Sequence, residues 1–462
     1  MTKSTPKTFD VIVIGSGSGL SVSSWAAAQG LKVAVIEDGP FGGTCLNRGC
    51  IPSKLLIHSA DVAETIRRSS EFGIDSRIDR IRFADIMERV ASYVDDHAAE
   101  TEKANRSDTR IEVFNSRAVF VGPHELEVAG QRITADKIFI VAGARTVVPP
   151  IPGLEGTPFL TSKEALRQKT QLKKMIIIGG GYIAAELGHF YGALGTEVEL
   201  FQRGPLMVPN EDESIAETFT ELFAKKYMVH TEASVERVDY ANNTFTVTAT
   251  GPSGSMSASG DALLVAVGIQ PNTDTLQVAK AGLEIDKRGY LVVNEFLETS
   301  IPGIWAFGDV IGRHLFKHGA NWETSYAVQN AFGSEKVAVD YTAMPHAIFS
   351  SPQVAGVGMT EQELKKGGVK YRVGVSAYAE TAMGDALQEK DGFVKALLSE
   401  DGQQILGCHI IGPEASTLIH EVVVAMKASG RTEAITKSIH IHPALNEVVQ
   451  RAFLAARKAA PA

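Results

Sequence analysis

A short apolar run that ends in glycines and passes into a helix occurs twice in this chain, and no other feature constrains the fold as much. Asp10-Val11-Ile12-Val13-Ile14 is nearly all apolar, as a strand buried on both faces of a parallel sheet must be. It meets Gly15-Ser16-Gly17-Ser18-Gly19. Residues 22–28 then read as a helix ending near Gly30, and residues 32–36 form a second strand closed by Glu37. This order is a dinucleotide fingerprint: the glycines let the backbone approach a pyrophosphate at the helix start, and the acid can bond a ribose. The third fingerprint position is Leu20, with Gly19 one place early. The helix is therefore expected not to approach the strand there in the usual way. A second copy runs from the strand at residues 174–178 through Gly179-Gly180-Gly181-Tyr182-Ile183-Ala184 to the strand at residues 197–201. One such motif is a weak signal, whereas two copies with a cysteine pair just beyond the first are hard to obtain as packing accidents.

That pair lies in Gly42-Gly43-Thr44-Cys45-Leu46-Asn47-Arg48-Gly49-Cys50-Ile51-Pro52-Ser53-Lys54. Two glycines precede the cysteines and a third interrupts them, so the backbone can turn tightly. If Cys50 begins a helix and Cys45 lies in the bent approach, the sulfurs come within disulfide reach. A metal site needs more cysteine or histidine ligands, and His58 is the only local candidate, so a redox disulfide fits better and no metal is expected. Lys54, four residues after Cys50, points the same way on a helix.

The rest of the composition narrows the classes. A chain of 462 residues is too long for one core and suggests about three domains. A formal charge of −9 gives no general pull toward nucleic acid or anionic membrane. No apolar stretch approaches the roughly 18 residues of a membrane span, and the first residues form no export signal. Three cysteines do not make a secreted scaffold, so a cytoplasmic protein with a reactive pair is expected. Cys408 stands alone in an apolar run and reads as a buried strand residue.

Further along, residues 54–106 read as helical with a break at Gly73, and residues 110–132 as strands. Residues 136–143 form another buried strand, and the proline-rich segment 149–153 marks a domain crossing. Residues 231–268 read as closing strands, with an exposed hairpin loop at 251–255. Residues 299–309 run a strand into Gly308-Asp309, and a helix is expected over roughly 321–340. From about Ala343 the pattern changes to antiparallel strands with helices near 414–429 and 446–459.

Taken together, these residues resemble the pyridine nucleotide–disulfide oxidoreductases, the group that contains dihydrolipoyl dehydrogenase, glutathione reductase and mycothione reductase. The likeness rests on Gly15 to Gly19 with Glu37, Cys45 to Lys54, Gly179 to Glu186, Gly308-Asp309, and His442-Pro443 with Glu447. It implies an α/β fold: two Rossmann-like nucleotide-binding domains and a C-terminal α+β dimerisation domain. The expected boundaries are 1–150 and 271–342 for the two parts of an FAD-binding domain, 151–270 for an NAD(P)-binding domain, and 343–462 for the interface. FAD would be held by Gly15, Gly17, Gly19, Glu37, Gly43, Thr44, Lys54, Ala142, Gly143, Gly308 and Asp309. NADPH or NADH would be held by Gly179, Gly181, Tyr182, Ile183, Gln202, Arg203 and Gly268. Flavin can take hydride and also pass an electron pair to sulfur, which a nicotinamide cannot do easily by itself.

The resemblance also implies roles. Cys50 is the flavin-proximal thiolate and Cys45 the thiol that exchanges with a small disulfide or dithiol. Lys54 and Glu186 act beside the flavin, and Tyr182 covers it until the nicotinamide enters. His442 is the acid–base, held by Glu447, and serves Cys45 of the other subunit in a homodimer. His440 and His442 are expected on one side of an extended segment, with no matching carboxylate for His440. Gln202-Arg203 follows the second module's second strand where an NAD-type relative carries an acid, which favours NADPH. Lys317-His318-Gly319-Ala320-Asn321 and Ala382-Met383-Gly384-Asp385-Ala386-Leu387 look closer to the mycothione-reductase-like branch. Reduction of a low-molecular-weight thiol disulfide is thus expected, with dihydrolipoamide oxidation as the alternative enzyme and a non-catalytic flavin-binding subunit as the alternative of another class.

Overall fold

The computed structural model describes residues 5–462, which form two compact units. The first comprises the described residues up to Leu55, Asp85–Val147 and Gly268–Asp340. Its sheet is parallel at the centre: Ile111–Asn115, Val33–Glu37, Lys7–Ile14, Gln131–Ile140 and Ile304–Ala306 lie side by side in that order. The hairpin Ala118–Gly122/Glu125–Val128 adds antiparallel strands to the long strand Gln131–Ile140. Val11, Ile12, Val13, Val33, Ala34, Val35, Ile138, Phe139 and Ile140 are fully or almost fully buried. Each of the larger side chains contributes about 2 kcal/mol by leaving water, which makes the continuous apolar strands the scaffold and leaves their C-terminal turns available for chemistry.

The helix Gly19–Ala28 packs on this sheet by a route the third-position leucine had argued against. Gly19 itself supplies the close approach, because a β-carbon there would lie 2.7 Å from Val13 Cγ1 and 3.4 Å from Val141 Cγ2. Leu20 turns to the edge of the core as a partly buried side chain. The helix expected over 321–340 instead spans Lys317–Phe332 and stops before Gly333.

The second unit comprises Leu56–Ala84, Val148–Val267 and Tyr341–Ala462. It contains a four-stranded parallel sheet in the order Met228–His230, Glu197–Phe201, Lys174–Ile178, Ala262–Val265, joined by a three-stranded antiparallel sheet over residues 234–260. A five-stranded antiparallel sheet follows, in the order Pro345–Ile348, Val354–Gly358, Ile405–Ile411, Phe393–Ser399, Tyr371–Ala377. The helices Ala415–Ala428 and Asn446–Lys458 bury Ile419, Val422, Val448, Val449 and Phe453 against it. At Gly374 a β-carbon would meet Ala456 N and Ala452 O, so the terminal helix lies directly on strand backbone there. Cys408 is fully buried in the central strand of this sheet, and burial pushes its thiol up.

One buried ionic group ties the parallel-sheet part of this unit to the antiparallel sheet. Lys395 Nζ reaches Asp212 Oδ1 at 2.7 Å and Glu361 Oε2 at 2.6 Å, with the Lys395 side chain 5% and Asp212 0% exposed. Asp212 also caps the helix Glu213–Lys226 and accepts the Glu361 amide at 2.9 Å. Among the described residues no helix is long and apolar enough to cross a membrane.

Candidate active site

Gly15, Glu37, Ala142, Gly143 and Gly308 lie at or just after the C-terminal ends of the first unit's parallel strands. Gly15 has φ +106° and lies against the backbone of Val141, and a β-carbon would overlap that carbonyl. Glu37 closes the turn from the side: its carboxylate accepts Ser16 N at 2.9 Å, Ser16 Oγ at 2.7 Å and Gly39 N at 2.9 Å. A carboxylate has about four acceptor positions, so Glu37 shapes the glycine turn and can still accept from a ribose. The cysteine stretch docks on the same turn. A β-carbon at Gly43 would fall 2.9 Å from Gly17 Cα, and Gly42 N donates to Ser16 Oγ at 3.0 Å.

Cys45 lies in the short helix Gly43–Arg48, and Cys50 opens the helix Cys50–Arg68. Gly49 makes the link possible, since a β-carbon there would press on Thr44 O at 2.9 Å. Cys45 and Cys50 are not joined in a disulfide in this structure, and Cys50 is the more exposed. The Cys45 thiol hydrogen-bonds Cys50. That bond, followed by burial and by the neighbouring Cys50 charge, pushes Cys45 far above the ordinary thiol range. Cys45 therefore keeps its proton in the reduced pair. Lys54, on the Cys50 helix, donates to Ser53 Oγ at 3.3 Å, and its charge favours the thiolate form of Cys45.

The far rim of the site comes from later segments of the same unit. Asn272 fixes the turn after strand Gln131–Ile140, donating Nδ2–H to Ala142 O at 2.8 Å and its amide to Gly143 O at 3.1 Å. Gly308, at φ +76°, donates its amide to the buried Glu323 carboxylate at 2.6 Å. Asp309 beside it is pushed up to about 6 by burial, with Lys317 partly offsetting the rise. The sequence reading missed Asn272 and Glu323. A lone Asn or Glu carries no periodic signal, and each acts on backbone that is remote along the chain.

These residues fit FAD. The cradle at Gly15 and Gly43 has no room for side chains, the helix that begins at Gly19 presents its amides there, and Glu37 and Asp309 provide acceptors for hydroxyls.

The second glycine turn repeats the first. Gly179 has φ +111° and a β-carbon there would overlap Ala266 O, while Gly181 caps the helix Tyr182–Ala193. Tyr182 is 40% exposed at the first position of that helix, and Ile183 is half-buried behind it. Gln202 lies over Gly180 and donates to Leu206 O at 3.0 Å, and Arg203 is exposed. Glu186 is buried one turn on, with Oε1 accepting Phe349 N at 3.1 Å. Gly268, expected among the nicotinamide-nucleotide residues, belongs to the first unit; it has φ +127° and accepts Val147 N at 3.0 Å.

In the C-terminal segment His442 Nδ1 meets Glu447 Oε1 at 3.0 Å, and Ala444 N donates to Glu447 Oε2 at 3.2 Å. The His442 bond, then the Ala444 amide, hold the Glu447 carboxyl below its usual range. The His442 side chain is 72% exposed and its Nε2 is left for another partner. His440 behaves otherwise. Its side chain is 5% exposed and its Nε2 meets Glu421 Oε2 at 3.2 Å, so the two histidines do not share one side, and His440 does have a carboxylate partner. That partner sits on another helix, beyond any local spacing rule.

Comparisons with known proteins agree with this geometry. Residues 9–333 match the family described as pyridine nucleotide-disulphide oxidoreductase, and residues 344–453 match its dimerisation domain. Mycothione reductase of Mycobacterium tuberculosis (strain ATCC 25618 / H37Rv) is 35% identical over 464 residues, covering 98% of this chain and 100% of the relative. Dihydrolipoyl dehydrogenase of Bacillus subtilis (strain 168) is 32% identical over 451 residues, covering 96% and 95%. Among solved structures, the HOCl-induced flavoprotein disulfide reductase RclA from Escherichia coli superposes with TM-score 0.85 at 29% identity, covering 96% of this chain and 99% of that one. The chain belongs to the pyridine nucleotide–disulphide oxidoreductases and is an FAD- and NAD(P)H-using flavoprotein disulfide reductase.

Proposed function

We propose that the chain is an NADPH-dependent reductase of a low-molecular-weight thiol disulfide, working in the cytoplasm as a homodimer whose sites are shared between subunits. The observation that carries this reading is the Cys45–Cys50 pair, docked through Gly43 on the glycine turn of the first unit. Bound FAD would accept a hydride equivalent and deliver an electron pair to that disulfide. The chain's own residues then do the exchange. His442 of the partner subunit takes the proton of Cys45, the resulting thiolate attacks one sulfur of the substrate to form a mixed disulfide, and the departing thiolate takes that proton back from His442 of the partner subunit. The Cys50 thiolate attacks Cys45, re-forming Cys45–Cys50 and releasing the second product as a thiolate, which is protonated in turn. Glu447 fixes the ring through Nδ1 and leaves Nε2 for this proton.

Arg203 supports the choice of NADPH: it stands exposed after the strand Glu197–Phe201, where a guanidinium can pair with a 2′-phosphate. Arg203→Ala should raise the KM for NADPH about tenfold or more while leaving NADH nearly unchanged; an equal effect on both would refute the phosphate role. Dihydrolipoamide oxidation with NAD⁺ is the second reading, favoured by the 32% identity to the Bacillus enzyme. A panel of mycothiol disulfide, oxidised glutathione, bis-γ-glutamylcystine and lipoamide, each with both nucleotides, separates the two. Turnover confined to lipoamide with NADH, or to dihydrolipoamide with NAD⁺, would overturn the first reading. In Cys45→Ser, FAD should stay bound and disulfide turnover should vanish.

A further inference from the structure

Lys317 occupies a place that electrostatics disfavours. It is the first residue of the 16-residue helix Lys317–Phe332, where the unsatisfied amides already make the helix end positive. It is also half-buried rather than extended into water. Burial pulls its ammonium down from the usual lysine range, and Cys45, Cys50 and Asp309 oppose that pull. A lysine in such a position needs a negative partner, and the structure supplies the direction in which it points.

Lys317 Nζ donates to Ser18 Oγ at 2.8 Å, and Ser18 Oγ donates to Asn321 Oδ1 at 2.9 Å, one turn further along the same helix. Ser18 is 5% exposed and follows Gly17, the residue on which Gly43 packs with a would-be β-carbon 2.9 Å from its Cα. Cys45 comes two residues after Gly43. The hydroxyl thus anchors the ammonium beside the backbone that carries the thiols. The cations acting on Cys45 are Lys317 and Lys54, and Asp309, on the turn before the Lys317 helix, acts on Lys317 in turn. Of the two cations, Lys317 acts more strongly on Cys45.

We propose that Lys317, oriented by Ser18 and Asn321, is a charge partner of the reduced Cys45–Cys50 pair, stabilising its single negative charge alongside Lys54. The inference rests on the reading of these cysteines as the redox pair. When that disulfide accepts two electrons and one proton, the dithiol carries one thiolate, and Lys317 gains the anion that its buried position requires. The coupling is reciprocal: whatever Lys317 contributes to the thiolate, the thiolate returns to the charged form of Lys317. The positioning role belongs to Lys317 and is additional to proton transfer by His442.

The test uses flavin-loaded wild type, Lys317→Met and Lys317→Arg, each reduced anaerobically with dithiothreitol and exchanged free of it. Alkylation by iodoacetamide is followed against pH by mass spectrometry, with the fully buried Cys408 as the unreactive reference. In Lys317→Met the pH midpoint of thiolate reactivity should rise by about one pH unit, a roughly tenfold loss of alkylation rate on the acid limb. Lys317→Arg should stay near wild type, because it keeps the charge. Lys317→Gln decides the point in the same way should the methionine chain not retain flavin. An unchanged midpoint in the neutral variant, or an equal rise in the arginine variant, would overturn the role of Lys317. Absence of newly alkylatable Cys45 and Cys50 after reduction of wild type would overturn the redox-pair reading itself, a result distinguishable from the first.

Discussion

A β-carbon at position 19 would stand 2.7 Å from Val13 Cγ1, so Gly19→Ala forces a buried valine or the first turn of the helix to move. Overpacking of this kind costs about 2 kcal/mol, and the flavin-loaded protein should melt several degrees lower by circular dichroism. Leu20→Gly, which restores the ordinary fingerprint, should gain nothing, because Gly19 already makes the approach and Leu20 packs on the core edge. The candidate site was legible where its residues sit in short local patterns: the glycines of both turns, the two cysteines, and His442 with Glu447. Residues that act across long chain separations were not. Glu323 beneath Gly308 and Glu421 on His440 are chosen by the packing of whole helices, and nothing in their own neighbours announces it. The carboxylate partner of His440 was invisible for this reason.

For the elements, strand positions were readable because four or five consecutive apolar residues between glycines leave little freedom. Lys174–Ile178 and Glu197–Phe201 fall where the periodicity put them. The helix Lys317–Phe332 did not, since Gly319 weakens its helical signal at the start while the residues after Gly333 remain polar and helix-compatible in composition. Contacts between elements were the least legible, and the Lys395 group shows why: Lys395 and Asp212 are 183 residues apart. Neutralising one member of a fully buried pair strands the other charge. Lys395→Met should therefore cost about 3 kcal/mol at neutral pH, read as a lower thermal midpoint. The pH dependence follows from Asp212. Burial alone would raise its carboxyl, but His409, the Lys395 ammonium and the Glu361 amide outweigh burial and hold it below the usual range. A depressed carboxylate stabilises the fold above its ordinary titration range and loses that contribution as pH falls through the folded value. The penalty of Lys395→Met should thus be full at pH 7 and shrink in strongly acidic buffer; a constant penalty would show that packing, not charge, holds the junction.

At the scale of the whole molecule, the matched dimerisation domain supports a homodimer. If His442 serves Cys45 of the partner subunit, an inactive Cys45→Ser chain and an inactive His442→Ala chain should complement when mixed. Random exchange leaves half of the dimers mixed with one intact site each, or about a quarter of wild-type activity. No recovery, with heterodimers seen by native mass spectrometry, would place both groups in one subunit. The first unit has a consequence of another kind. Its parallel sheet is assembled from three separate lengths of chain, and the strand Ile304–Ala306 with Gly308-Asp309 arrives only after the entire segment Val148–Val267 has been made. Pairing over such a sequence distance is slow to close and cannot begin on a nascent chain that has not yet supplied the last strand. Ribosome-bound chains ending near residue 267 should already hold a protease-resistant second nucleotide module and retain no flavin, so that the colour of the enzyme appears late in synthesis, after the part that receives the nicotinamide has folded.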